Sequence, residues 1–290
     1  MPTPLKFWKV QSVGNDFPLI HLDDVKALAI SSGASEDFLY TSLAIQTSDR
    51  HTGVGGDGLL AAGMEEGDLR LRMFNPDGTE DFCGNGLRCA AWHAHLQGWI
   101  GKVCTIRHLD QKVPTTISDD GIATIIGSAD YDPAKVPHTG FGELFNQTVW
   151  SGMDSGMPMS LFGSALTTGS THVVIGTYAL PDDDSFKSVS AKVEVAEQYP
   201  KRTSVIWRQE VEPMKLKIRI WERGVGETLG CGTGSAAAAA DYLRQKQKGG
   251  RVQVENPGGL LYVSMDSWHA PITVEGKAEQ VYSGEFLATL

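Results

Sequence analysis

No C-x-x-C pair occurs in the sequence, and the cysteines number only four, Cys83, Cys89, Cys104 and Cys231. That is too few for a disulfide scaffold in a chain of 290 residues, and the spacing excludes the common zinc and dithiol redox motifs. Reduced thiols are expected. No stretch approaches the roughly 18 uninterrupted apolar residues of a membrane span. The start, Met1-Pro2-Thr3-Pro4-Leu5-Lys6, lacks the basic and then apolar pattern of a secretory signal, so a cytoplasmic protein is expected. Basic residues are in deficit: 25 Lys and Arg stand against 35 Asp and Glu, a net charge of -10 that leaves no general attraction for nucleic acid or anionic membrane. Phosphate loops are missing too. No G-x-x-x-x-G-K-S/T occurs, and Gly224-Val225-Gly226-Glu227-Thr228-Leu229 lacks the third glycine of a dinucleotide loop. His51, His93 and His95 have no metal-ligand spacing and read as helix-surface or loop residues, and Asp182-Asp183-Asp184 reads as a solvated loop. No metal and no cofactor are called for, and a small-molecule partner remains. A homodimer stays open, because no stripe or patch of the sequence identifies an interface.

What is present is ordinary globular composition, 41% hydrophobic and 21% charged, in a length that favours two domains. Short alternating runs punctuated by turns dominate. In Lys215-Leu216-Lys217-Ile218-Arg219-Ile220 the apolar side chains fall on one face of a period-two ribbon and the cations on the other, which predicts a half-buried strand. Val252–Glu255, then Asn256-Pro257-Gly258-Gly259, then Leu260–Ser264 predicts a hairpin, and Asp119-Asp120-Gly121 another turn. Antiparallel sheet is expected to prevail.

Two segments differ from this pattern and resemble each other. Cys83-Gly84-Asn85-Gly86 and Cys231-Gly232-Thr233-Gly234 lie 148 positions apart, and each feeds a helix-forming run, one through Leu87, Ala90, Ala91 and Ala94, the other through Ala236–Ala240 to Leu243. Two similar halves of sheet plus helix, related by an approximate two-fold axis, are expected. A helix start presents backbone N–H groups and the positive end of the dipole, so it holds a carboxylate without a basic side chain. Glycine lets the backbone come close to that anion. A cysteine just before the helix feels the same field, which brings its thiolate within reach from an unperturbed pKa of about 8.5. Two such units on opposite faces of one α-carbon would let a thiolate remove the α-proton while a thiol returns another to the opposite face. Cys89 and Cys104, outside such a context at their own positions, read as small buried hydrophobes.

These residues resemble the cofactor-independent diaminopimelate epimerases along nearly the whole chain. The resemblance is carried by Gly14-Asn15-Asp16-Phe17, Asp49-Arg50-His51-Thr52-Gly53-Val54-Gly55 with Asp57-Gly58, Phe74-Asn75-Pro76-Asp77-Gly78, Cys83–Cys89 and Trp221–Gly234. It implies an α/β (α+β) fold of two pseudo-symmetric domains, each a mainly antiparallel sheet or barrel wrapped around a central helix, with the active site between them. The domains implied are 1–124 plus 277–290, carrying Cys83, and 125–276, carrying Cys231, the last strand around Gln280–Leu287 returning to the first. Cys83 and Cys231 would be the acid/base pair and the amides of Gly84, Asn85, Gly232 and Thr233 the carboxylate cradle. Asn15, Asn75, Glu222 and Arg223 would contact substrate, Arg223 as a planar fork for the distant carboxylate and Glu222 as an acceptor for an ammonium group. Asp16, Asp57 and Arg50 fall to loop architecture.

Two departures bear on the substrate. Ser170, in Gly169-Ser170-Thr171-His172, and Ser204, in Pro200-Lys201-Arg202-Thr203-Ser204-Val205, stand where the family usually has asparagine. A hydroxyl is shorter than an amide and offers fewer hydrogen bonds. The expected reaction is still interconversion of LL- and meso-2,6-diaminopimelate, in lysine biosynthesis. The alternative is a racemase of another amino acid on the same scaffold. A lyase or dehydratase is disfavoured by retention of both cysteines, and a non-catalytic amino-acid-binding protein would bind without proton exchange.

Overall fold

The computed structural model describes residues 3–289. Its contacts divide the chain into two compact units. The first comprises the residues up to Thr124 together with the segment from Gly276 onward, and the second is Ile125–Glu275.

The first unit contains β1 (Thr3–Ser12), β2 (Asn15–His21), α1 (Leu22–Ser32), α2 (Glu36–Ser48), β3 (Leu59–Glu65), β4 (Asp68–Phe74), α3 (Gly84–Leu96), β5 (Val103–His108), β6 (Gln111–Ile117) and most of β7 (Ile122–Ile125). Its strands pair in the order β1, β2, β3, β4, β5, β6, β7, with β2–β3 and β4–β5 parallel and the other pairs antiparallel. Period-two alternation explains why the first half of β3, Leu59–Ala62, is apolar and buried. Leu60 and Ala62 face the cluster around α3, while Leu59 and Ala61 face the cluster around α1 and α2. A strand covered on both sides has no wet face.

The second unit contains β8 (Gln147–Asp154), β9 (Met157–Thr167), β10 (Thr171–Thr177), α4 (Asp183–Glu194), β11 (Ser204–Glu212), β12 (Lys215–Glu222), β13 (Gly226–Thr228), α5 (Gly232–Gln245), β14 (Gly250–Asn256), β15 (Gly259–Met265) and most of β16 (Thr273–Gly276). Pairing runs β8, β9, β10, β11, β12, β14, β15, with β10–β11 and β12–β14 parallel and the other pairs antiparallel. The run β10, β11, β12, β14, β15 thus alternates parallel and antiparallel pairing as β2, β3, β4, β5, β6 does. In each run a helix-bearing crossover falls at the same two places. The repeat seen in the cysteine motifs extends to the topology.

β17 (Glu279–Ala288) follows, antiparallel to β1 along its length, from Thr3 opposite Ala288 to Gln11 opposite Glu279. The strand, hairpin and helices read from the sequence are present as β12, β14–β15, α3 and α5. Asp182-Asp183-Asp184 corrects that reading: Asp182 caps α4, accepting the Ser185 amide at 2.8 Å, and the next two acids occupy the first turn, where the helix dipole favours them. His93 is also a correction. It lies fully buried on α3 with its Nε2 2.9 Å from that of His21, among the rings of Trp8 and Trp99. Among the described residues, no helix is long and apolar enough to cross a membrane.

Candidate active site

Each C-G-x-G segment builds the same small structure. Cys83 is the N-cap of α3 with extended backbone (φ -135°, ψ 108°), and its Sγ accepts the Gly86 amide at 3.2 Å. Cys231 is the N-cap of α5 (φ -134°, ψ 119°), and its Sγ accepts the Gly234 amide at 3.3 Å. A sulfur thus occupies the capping position usually held by a hydroxyl or carboxylate oxygen. Space at the second position is tight and favours glycine. A Cβ at Gly86 would lie 3.0 Å from Leu60 Cδ2 and 3.3 Å from Cys83 Cβ, and at Gly234 2.8 Å from Ile206 Cδ1 and 3.3 Å from Cys231 Cβ. Alanines then let both helices sit close to their sheets: Ala90, Ala91 and Ala94 on α3 and Ala236–Ala240 on α5 are fully buried.

In the first unit the structure brings Asn15, Cys83 and Asn85 together. Asn15 Oδ1 accepts from Asn85 Nδ2 at 3.1 Å and lies 3.8 Å from Cys83 Sγ, within reach of a thiol S–H. Asn15 Nδ2 in turn donates to Asp57 at 2.5 Å, and Arg50 joins Asp57 and Asp16 at 2.8 and 2.7 Å. Burial pushes the Asp16 carboxyl up, but Arg50 and buried Lys9 outweigh it and hold it below its ordinary value. These loop ions therefore aim Asn15. Asn75 belongs to its own turn, donating from Nδ2 to Thr79 Oγ1 at 3.1 Å, and is not brought to Cys83 by any hydrogen bond described. Cys89 is buried, which pushes its thiol well up, and half-buried Cys104 is pushed up to about 11.

In the second unit Ser170, Thr233 and Cys231 converge. Cys231 Sγ lies 3.4 Å from Thr233 Oγ1, which lies 2.9 Å from Ser170 Oγ, which lies 2.9 Å from His172 Nε2. His172 is a residue the sequence reading passed over. Burial, and then the Arg223 charge, push its pKa down to about 3, so the ring is neutral. Its buried Nδ1 meets no partner among the described residues. A buried lone pair is tolerated better than a buried N–H without an acceptor, which puts the proton on Nε2. The hydroxyl chain then runs from His172 through Ser170 and Thr233 and ends as a donor to Cys231.

Ser204, the first residue of β11, accepts the backbone N–H of Arg223 at 3.1 Å, and Glu222 accepts from Thr228 Oγ1 at 3.0 Å. The exposed Arg223 guanidinium reaches Lys201 O at 3.4 Å. The turn carrying Glu222 and Arg223 is clamped by buried Glu194, which accepts from Gly224 N and Trp221 Nε1, both at 2.7 Å, and pairs with Arg202 at 2.5 Å. Glu194 ends an amphipathic helix, and nothing in its local sequence marks it. The hydroxyls of Ser170 and Ser204 are both engaged by protein groups. Among the described residues, no group of three or more His, Cys, Asp or Glu could hold a metal ion.

Comparison with known proteins shows the family. A family model described as diaminopimelate epimerase matches residues 164–281. The diaminopimelate epimerase of Desulforudis audaxviator is 32% identical over 98% of this chain and 99% of its own length. That of Desulfovibrio desulfuricans is 31% identical over 99% of each chain. Among solved structures, a Bacillus anthracis phenazine biosynthesis protein of the PhzF family aligns with a TM-score of 0.64 at 17% identity, covering 98% of this chain and 99% of that one. A hydroxyproline epimerase from Agrobacterium vitis, with trans-4-hydroxy-L-proline bound, aligns with a TM-score of 0.65 at 11% identity, covering 98% of this chain and 91% of that one. At such identities the structural likeness shows the fold.

Proposed function

The chain belongs to the diaminopimelate epimerase family, and from that premise we propose that it interconverts LL- and meso-2,6-diaminopimelate by proton exchange at Cα without a cofactor. Cys83 and Cys231 are the two acid/base groups. One, as thiolate, takes the α-proton, and the electron pair moves into the carboxylate as an enediolate. The other, as thiol, delivers its proton to the opposite face of the same carbon. The configuration inverts, and the two sulfurs exchange protonation states. The first-turn amides of Gly84, Asn85, Gly232 and Thr233 hold the carboxylate as its charge grows. Asn15, Asn75, Ser170, Ser204, Glu222 and Arg223 are assigned to the substrate. We place the reaction in the cytoplasm, where reducing conditions keep both thiols free.

The observation that carries this reading is the matched pair of sulfurs, each capping a buried alanine-rich helix with an N–H at 3.2 or 3.3 Å. An N–H donor favours the thiolate, while Asn15 Oδ1 beside Cys83 suits a thiol and the hydroxyl chain beside Cys231 suits a thiolate. The two sulfurs therefore have different resting environments, as a donor and an acceptor require.

The test is deuterium uptake at Cα from heavy water, followed by mass over a panel of amino acids. Diaminopimelate is expected to exchange. Cys83→Ala and Cys231→Ala should each lose activity by about a thousandfold or more, with Cys89→Ala close to wild type. Exchange into another amino acid but not diaminopimelate would overturn the substrate. Near-normal turnover in either catalytic alanine variant would overturn the two-base mechanism.

A further inference from the structure

The backbone N–H of Cys83 belongs to an N-cap residue and takes no part in the helix ladder, so it needs an acceptor elsewhere. It finds one in a side chain. His108 Nε2, at the end of β5, lies 3.2 Å from Cys83 N. The other ring nitrogen, Nδ1, lies 3.2 Å from Leu71 O on β4. A carbonyl can only accept, so Nδ1 carries the proton and Nε2 offers its lone pair to Cys83. The imidazole is fully buried and stacked on the ring of Phe82, with centroids 5.2 Å apart. Burial pushes its pKa down to about 4, which keeps the acceptor available at neutral pH.

The second unit repeats the device with different chemistry. Asn256 stands 25 residues after Cys231, as His108 stands 25 residues after Cys83, and each is the last residue of the strand that follows the central helix. Asn256 Oδ1 lies 3.5 Å from Cys231 N and also accepts from Ser235 Oγ at 3.0 Å. An amide thus shares itself between two donors where the imidazole holds one donor more closely.

We propose that His108 is a positioning residue for Cys83: its neutral Nε2 holds the Phe82–Cys83 peptide, and through it the aim of the sulfur at the Gly86 amide. The inference rests on the assignment of Cys83 as an acid/base group. Small errors in the aim of a reacting atom cost about a hundredfold in rate.

The test uses His108→Phe, which keeps a ring against Phe82 but removes the acceptor, and His108→Asn, which imports the group used in the second unit. Two quantities are measured on the full chain: kcat and KM for diaminopimelate, and the pH midpoint for iodoacetamide labelling of Cys83 and Cys231, read on separate peptides. H108F is expected to lower kcat about tenfold or more, with KM within about threefold. It should also raise the Cys83 midpoint by about half a pH unit or more, because a misaimed thiolate loses its N–H donor, while the Cys231 midpoint stays. H108N should recover kcat to within about threefold of wild type.

A wild-type Cys83 midpoint in folded H108F would overturn the proposal, whether or not kcat falls, since a purely structural role leaves that midpoint alone. H108N no better than H108F would overturn it as well. If H108F does not fold, H108N decides: near wild-type kcat and midpoint support the proposal, and a kcat more than about threefold below wild type together with a raised Cys83 midpoint overturns it. Labelling needs no substrate. A protein inactive on diaminopimelate whose Cys83 midpoint still moves in H108F would sink the proposed reaction and leave the positioning role standing.

Discussion

At the scale of single residues, the surroundings of both cysteines include short polar side chains that own no charge. Ser170 is the clearest. Its hydroxyl links His172 Nε2 to Thr233 Oγ1, 2.9 Å from each, and so carries a donor towards Cys231. Ser170→Ala is expected to lower kcat about five- to tenfold with little change in KM, measured from initial rates across substrate concentrations; an unchanged kcat would remove the hydroxyl chain from the mechanism. In the sequence, Ser170 and Ser204 could be read only as shorter than the usual asparagine. Besides its neighbour His172, Ser170 meets Thr233, 63 positions away, and Ser204 meets Arg223, 19 positions away, and no local pattern reveals either of these distant partners. The cysteine caps were legible because capping is local: residue and amide are three positions apart. His108 and Glu194 were not, because each acts on a residue 25 or more positions away.

At the scale of elements, α5 is held to its sheet by more than alanine packing. Asp241, in the C-terminal half of the helix, accepts from Arg208 of β11 at 2.9 and 2.7 Å and from Ser164 of β9 at 2.6 Å, and both members of the ion pair are buried. Removing one partner strands the other charge in the core. Asp241→Ala is expected to destabilise the protein by about 3–5 kcal/mol, read as a lower urea midpoint; a loss below about 1 kcal/mol would show that water reaches Arg208. The two helices could be predicted from glycine followed by alanine runs, and β12 from strict alternation. Strand order could not. The parallel pairs β2–β3 and β10–β11 join segments separated by helical crossovers, so periodicity shows that strands exist without showing which neighbours they choose. Asp182 was misread for a related reason: an acidic triplet looks the same whether water or a helix terminus receives it.

At the scale of the whole molecule, acid is the expected weakness. Burial pushes His93 and His108 down to about 4 and His172 to about 3, and all three have almost no exposed surface. Their unfolded forms take up protons near pH 6.5. Between that value and the native pKa the unfolded chain binds more protons, so stability is present above about pH 6.5 and is lost as pH falls towards 4. His93 and His108 each contribute about 3 kcal/mol to this loss. The urea midpoint should fall steadily between pH 6.5 and 4, less so in His93→Gln; a flat midpoint over that interval would contradict the buried neutral rings. The pairing of β17 with β1 has a consequence for biosynthesis. The ribosome makes β1 early and its antiparallel neighbour β17 only after the entire second unit has been synthesised, so until then the first unit carries one long unpaired strand edge and an uncovered patch where Phe286 packs.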